Sequence, residues 1–223
     1  RVGVAPTLGI VGIAFIVNTI FNLQPALANM QTLVTIGKLS QDPIAALPDI
    51  AATFAQSSPH IDDIRNDVTR TMIEIVTNNY EKLGVEKSIE ILTVAAEALQ
   101  KNVILHPHDI RDTLLLGQLF QTAATITNKV EYMLQAEQYT QQALNDSLKR
   151  QQIIFGLASI KITIGKAPEA AVLLEQALKD DPKIAETYWR LMIAYRVADE
   201  DAKVKATFAL AEQNHIIFNE QGK

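Results

Sequence analysis

A helical pattern that recurs at a fixed period of 34 residues constrains this chain more than any other feature. In residues 151–184, Leu157 and Ala158 stand in the first of two helical stretches and Gly165 marks the turn between them. Ala170, Leu174, Ala177 and Pro182 follow in the second stretch. Residues 185–218 repeat the arrangement with Leu191, Tyr195, Phe208 and Ala211. Small residues at such positions let two helices cross closely, large ones interlock with the next pair, and Pro closes the second helix. An upstream unit carries Leu116, Gly117 and Phe120 in its first helix and Ala136, Ala143 and Leu148 in its second. Its helices are separated by a longer stretch, and Leu148 replaces the closing Pro. The alternative is an antiparallel helical bundle without a stacking register.

The pattern resembles the tetratricopeptide (TPR) repeat, and Trp189 stands one position from that repeat's usual aromatic. The expected fold class is all-α: a TPR-like superhelical stack of antiparallel helix hairpins, preceded by one N-terminal transmembrane helix. The hairpins are expected at 113–146, 150–180 and 183–217, within about eleven helices in all. The expected division is a transmembrane helix at 1–22, degenerate helical repeats or a connector at 23–108, and TPR-like repeats at 109–223.

From Val2 to Phe21 no residue is charged. As a helix this run would be about 30 Å long, enough to cross the hydrocarbon of a bilayer. Two other readings stand beside a membrane span. Ala26-Leu27-Ala28 resembles the cleavage site of a secretory signal, although a charged leading region is nearly absent. A buried helix of a soluble domain is the other. Arg1 before the span, with no basic cluster after it, places the bulk of the chain outside the cytoplasm by the positive-inside rule. A chain opening on Arg1 rather than Met fits a processed product or a piece of a longer polypeptide.

Between the run and the repeats the signals are helical throughout, with no strand pattern. Asn22-Leu23-Gln24-Pro25 reads as a helix start, continuing to about Ile36 and stopping at Gly37. Asp42-Pro43 and Pro48 open a segment that runs to Gln56. Ser58-Pro59 reads as a cap, with Asp62 and Asp63 in the first turn where the helix dipole favours them. Ile61, Ile64, Val68, Met72 and Ile75 form one apolar stripe ending at Gly84. The next helix, from near Glu86, carries Leu92, Ala95, Ala96, Leu99 and Val103. His106-Pro107-His108 is a turn, Asp109 a cap, and Thr127-Asn128 a break.

Composition excludes several kinds of chemistry. The chain has no cysteine, so disulfides, thiolate metal sites and a cysteine nucleophile are ruled out. Its net charge of −5, with both signs interspersed, argues against a nucleic-acid partner, which calls for a basic stripe. His106, His108, Asp109 and Asp112 form one compact set of potential metal ligands, with a polar turn before a capped helix as the simpler reading. Gly165-Lys166 lacks the rest of a phosphate loop, and no nucleophile-elbow motif is present. No catalytic residue, metal or cofactor is expected.

A broader resemblance rests on Asn22-Leu23-Gln24-Pro25-Ala26-Leu27-Ala28 after the apolar run, on Leu115-Leu116-Gly117-Gln118-Leu119-Phe120, and on Lys149-Arg150-Gln151-Gln152-Ile153-Ile154-Phe155. This order resembles the C-terminal region of bacterial O-antigen ligase/polymerase-family membrane proteins with TPR tails. The resemblance implies that the chain is the tail of an enzyme handling lipid-linked glycans, with the catalytic loop upstream and absent here. A free-standing, membrane-anchored TPR adaptor is the second reading, and a catalytic domain without a familiar motif is the third.

In stacked hairpins of this type the first helices line a groove through repeat positions 2, 5, 9, 12 and 13. The residues mapped there are Gln152, Phe155, Ser159 and Ile162 in one unit and Glu186, Trp189, Ile193 and Arg196 in the next, with Gln118 and Gln121 extending the face by the same phase. Two large aromatics among amides suit an extended or helical peptide as the partner. The competing reading is that Phe155 and Trp189 pack between neighbouring helices.

Overall fold

The computed structural model describes residues 4–218, with side chains from residue 9 onward. The described residues form eleven α-helices and one π-helical turn, and no strand occurs among them. The chain divides into two compact units, 1–106 and 107–223.

The first unit begins with α1 (Val4–Asn18), passes through a π turn (Thr19–Leu23), and continues as α2 (Gln24–Gln41). The expected start at Asn22–Pro25 falls where α2 begins, with Pro25 in its first turn, but the preceding helix runs into it through the π turn. Pro25 lacks an N–H and its ring crowds the carbonyl four residues back. The chain responds by widening rather than stopping, and the Gln24 N–H donates to the Thr19 carbonyl, five residues earlier. Gly37 is likewise no stop, because α2 runs through it to Gln41. A glycine inside a helix costs about 1 kcal/mol relative to Ala. Packing outweighs that cost here, since Pro25, Ala28, Thr32, Thr35 and Leu39 form a buried stripe against the following helices. The alternative of a buried soluble helix is not what the structure shows for α1, whose large apolar side chains from Ile10 to Val17 are exposed. Gly9 to Gln41 is long and apolar enough to cross a membrane. Arg1, on which the expected orientation rests, lies outside the described residues.

Three helices complete this unit: α3 (Leu47–Phe54), α4 (Ile61–Leu83) and α5 (Val85–Leu105). The α4 cap falls at His60, two residues beyond Ser58, whose hydroxyl accepts from the His60 N–H at 3.2 Å. Gly84, at φ 78°, is the single residue joining α4 to α5. The core is formed by Leu39, Ile50, Val68, Met72, Ile91 and Leu99, all fully buried. Arg65 binds three elements together. It donates to the Phe54 carbonyl at 3.1 Å and to Asn102 Oδ1 at 3.0 Å, and Asn102 donates in turn to the Asp62 carbonyl at 2.9 Å.

The second unit is three helix hairpins: α6 (Ile110–Thr127) with α7 (Val130–Asp146), α8 (Gln151–Thr163) with α9 (Ala167–Asp180), and α10 (Ala185–Val197) with α11 (Asp201–Gln213). Asp109 caps α6 by accepting from the Arg111 N–H at 2.9 Å. The extra length of the first hairpin lies in its helices: α6 has 18 residues where α8 has 13. Each hairpin packs on the next, α7 against α8 and α9 against α10, and α8 also meets α10. Leu157, Ala170, Leu174, Ala177, Tyr188 and Ala211 share one buried core. Full burial of a leucine contributes about 2–3 kcal/mol, so Leu157 and Leu174 alone outweigh many surface contacts.

The turns keep the same register. Gly165 at φ 79° and Asp199 at φ 59° stand 34 residues apart, and each closes its first helix in the left-handed conformation. Behind them, the Lys166 N–H donates to the Lys161 carbonyl at 2.7 Å and the Glu200 N–H to the Tyr195 carbonyl at 2.9 Å. These are the six-to-one bonds of a Schellman turn, which satisfies carbonyls left without helical partners.

Candidate functional site

The two first helices α8 and α10 each bury one side and present the other. Ile153, Ile154, Leu157, Ala158 and Ile160 of α8 are buried, as are Tyr188, Leu191, Met192, Ala194 and Tyr195 of α10. The expected groove residues lie on the remaining sides. Gln152, Ser159, Glu186 and Arg196 are exposed, while Phe155, Ile162, Trp189 and Ile193 are half-buried. Their spacing of three and four residues keeps each set on one helical face. On α6, Gln118 is exposed and Gln121 half-buried, one turn apart.

Arg190, which the repeat positions did not single out, joins the two helices on this face. Its Nε donates to Glu186 Oε1 at 2.7 Å, and its Nη1 reaches back to Ser159 Oγ on α8 at 2.8 Å. The guanidinium lies over the Phe155 ring, 5.1 Å from its centroid, an arrangement favoured by the negative ring face. Phe155 and Ile162 also pack against the hairpin core. Phe155 is therefore covered on one side by the core and on the other by Arg190. Arg190 left one sequence signal, its i,i+4 spacing from Glu186.

The fully buried aromatic of α10 is Tyr188, with Tyr195 also buried, and not Trp189. Tyr188 is fully buried, donates through its hydroxyl to the Pro182 carbonyl at 2.9 Å, and accepts from Asn214 Nδ2 at 2.8 Å. Trp189 follows it by one residue, a rotation of about 100°, and this turns the indole toward the surface. Tyr188 and Tyr195 floor a cleft of about 430 Å³ between α9, α10 and α11. Burial, and then the hydrogen bond to Glu175, pushes the Tyr195 phenol well up.

Beneath the same hairpins lies a partly buried charge network. Glu137 of α7 accepts from Lys161 at 2.8 Å and from Lys166 at 2.7 Å, and Lys161 also reaches Glu169 at 2.6 Å. The Lys161 and Glu137 side chains are 12% and 13% exposed. Burial disfavours the Glu137 carboxylate, but the two ammonium groups outweigh it and hold its pKa below the ordinary value. Burial also works against the Lys161 cation, and Glu137 with Glu169 raises its pKa regardless. At the next junction the equivalent positions, 34 residues on, are Tyr195, Glu200 and Lys203. There Lys203 pairs with Glu200 and lies over the Tyr195 ring.

The four potential metal ligands do not converge. His106 Nε2 meets Asp62 at 3.0 Å within the first unit, and His108 Nδ1 meets Asp146 at 2.9 Å within the second. Asp109 is engaged by Arg111, whose hydrogen bonds lower its pKa, and Asp112 is buried. Among the described residues no three such groups are placed to hold a metal ion.

No protein-family model matches the chain, and no curated protein does. Solved structures overlap with it. One is TTC0263, a thermophilic TPR protein of Thermus thermophilus, 15% identical, with 83% of this chain and 91% of that one covered at a TM-score of 0.48. A structure of MamA protein is also 15% identical, covering 83% and 92% at 0.48. A further MamA structure is 17% identical, covering 69% and 92% at 0.42. The stacked-hairpin architecture of the second unit stands on its own packing and on the 34-residue register of its turns.

Proposed function

We propose that the second unit is a TPR-like module that binds a protein or peptide partner in the concave groove lined by its first helices, α6, α8 and α10. One observation carries this reading. Ile162 on α8 and Trp189 and Ile193 on α10 leave apolar surface half-open on one side of two packed helices. Aromatic and arginine side chains dominate binding energy at protein interfaces, and this face holds Trp189 and Arg196. Neither a cofactor nor nucleic acid enters the reading, and the chain itself is given no catalytic role. Pull-down with the purified module is the test: loss of a partner on substitution at Trp189 and Arg196, with folding intact, supports the face.

The module is tethered to a membrane through residues 2–21, with its bulk on the extracytoplasmic side. The exposed apolar side chains of α1 support the tether. Membrane fractionation with carbonate washing, with and without residues 2–21, tests it; equal solubility of the two forms would end it. The parent is a lipid-linked glycan ligase or polymerase, on the resemblance of the segments at 22–28, 115–120 and 149–155. Sequencing the gene upstream of Arg1 decides this: many further apolar spans support the enzyme, whereas a Met immediately before Arg1 favours a free-standing adaptor.

A further inference from the structure

The apolar surface does not end where the span of residues 2–21 ends. No charged side chain occurs between Arg1 and Lys38. Helix α2 continues the rod without a break in helical hydrogen bonding, since the π turn is itself helical. On α2 the buried stripe from Pro25 to Leu39 faces α3 and α4, and Thr35 of that stripe meets Thr53 of α3 at 3.1 Å. Off that stripe, Leu27, Met30, Leu33 and Val34 are 51%, 61%, 71% and 56% exposed. Such a patch on a folded body marks a surface that something covers.

We infer that a lipid bilayer covers it. On this inference the outer face of α2 stays in contact with lipid beyond the span and holds the first unit against the membrane rather than on a free tether. The inference rests on the membrane span proposed above. Continuity is its first support, because the exposed apolar residues of α1 and α2 belong to one rod. The position of charge is the second. The first charge after Arg1 is Lys38, near the end of α2, and it pairs with Asp49 of α3 at 2.6 Å. Beside α2 a cleft of about 420 Å³ opens toward α4, lined by Leu33, Ile36 and Ile64 and by His60, Asp63 and Asp67.

The chain has no cysteine, so single reporters can be introduced without background. The variants are Met30→Cys and Leu33→Cys on α2, Ile13→Cys within the span, and Thr93→Cys as a water-exposed reference on α5. The full chain is reconstituted in phosphatidylcholine vesicles and challenged with a membrane-impermeant maleimide. In parallel, fluorophore-labelled protein is measured in vesicles containing brominated phosphatidylcholine. The expected result is loss of maleimide labelling and quenching by brominated lipid at residues 13, 30 and 33, with full labelling at 93. Free labelling at 30 and 33 while 13 stays protected overturns the inference and leaves the span standing. Protection at 30 and 33 without quenching also overturns it, because a protein surface then covers α2. Free labelling at 13 as well brings down the span, and the inference with it.

Discussion

Gly117 of α6 and Thr140 of α7 meet where their helices cross: a Cβ built on Gly117 would lie 2.7 Å from Thr140 Oγ1. No side chain fits there unless the threonine gives way, and Thr140 is buried and β-branched, with little freedom to rotate.

Gly117→Ala is therefore expected to destabilise the second unit. Overpacking costs about 1–3 kcal/mol, partly offset by about 1 kcal/mol of helix propensity gained over glycine, so the net loss is about 1 kcal/mol. Gly117→Ala combined with Thr140→Ala should be less unstable than the sum of the two single changes. Additive effects in denaturant unfolding would mean that the two residues do not touch.

Gly165 and Asp199 hold equivalent left-handed turns, and substitutions there should act with opposite signs. A Cβ on Gly165 meets nothing within 4 Å, so Gly165→Ala isolates backbone strain, about 1–2 kcal/mol of destabilisation. Asp199→Gly relieves the same strain and should stabilise by some tenths of a kcal/mol up to about 1. Thermal unfolding of both variants provides the comparison, and a shift in the same direction for both would refute the shared turn geometry.

The Glu137 network predicts a pH dependence. The folded-state pKa of Glu137 is depressed, so its contribution is present above the ordinary carboxylate range and is lost as pH falls through the folded pKa. Glu137→Gln should cost about 1–3 kcal/mol at neutral pH, from Lys161 and Lys166 left with a weaker partner in a partly buried site. The gap between wild type and variant should narrow on acidification. Chemical unfolding from pH 7 down to pH 3 measures it, and a constant gap would assign the effect to packing instead of charge.

Trp189→Ala with Arg196→Ala separates recognition from folding. Both side chains lie off the buried side of α10, so the melting point should hold while partner capture falls. A lower melting point with the same partners recovered would make this face part of the core. Arg190 is kept intact in this test because it bridges Glu186, Ser159 and Phe155.

The hairpins were legible because their signals are local and repeated: small residues at Ala158, Ala170 and Ala177, a turn glycine at 165, a cap at Asp109. What was not legible depends on contacts between distant elements. Gly37 carries the usual mark of a helix end, and only its packing stripe against α3 and α4 overrides that mark. Pro25 reads as a first-turn residue, but the preceding apolar helix accommodates it in a π turn. Tyr188 and Trp189 are adjacent, and a one-residue difference in phase decides which of them is core. Arg190 has no distinguishing spacing toward α8, so its reach to Ser159 and Phe155 emerges only when α8 and α10 are placed side by side.

The charged seam that joins α7 to the middle hairpin is reversed in sign at the matching positions of the last hairpin. Lys166 meets Glu137, while its counterpart 34 residues later is Glu200; Glu169 has Lys203 as its counterpart. If the last hairpin slipped forward and docked on α7 in place of the middle one, Glu200 would be brought toward Glu137 and two carboxylates would share a partly buried site. Such a pairing is repulsive and poorly screened. The seam on α7 thus accepts the middle hairpin and rejects the last, which favours a single order of assembly among modules of one fold.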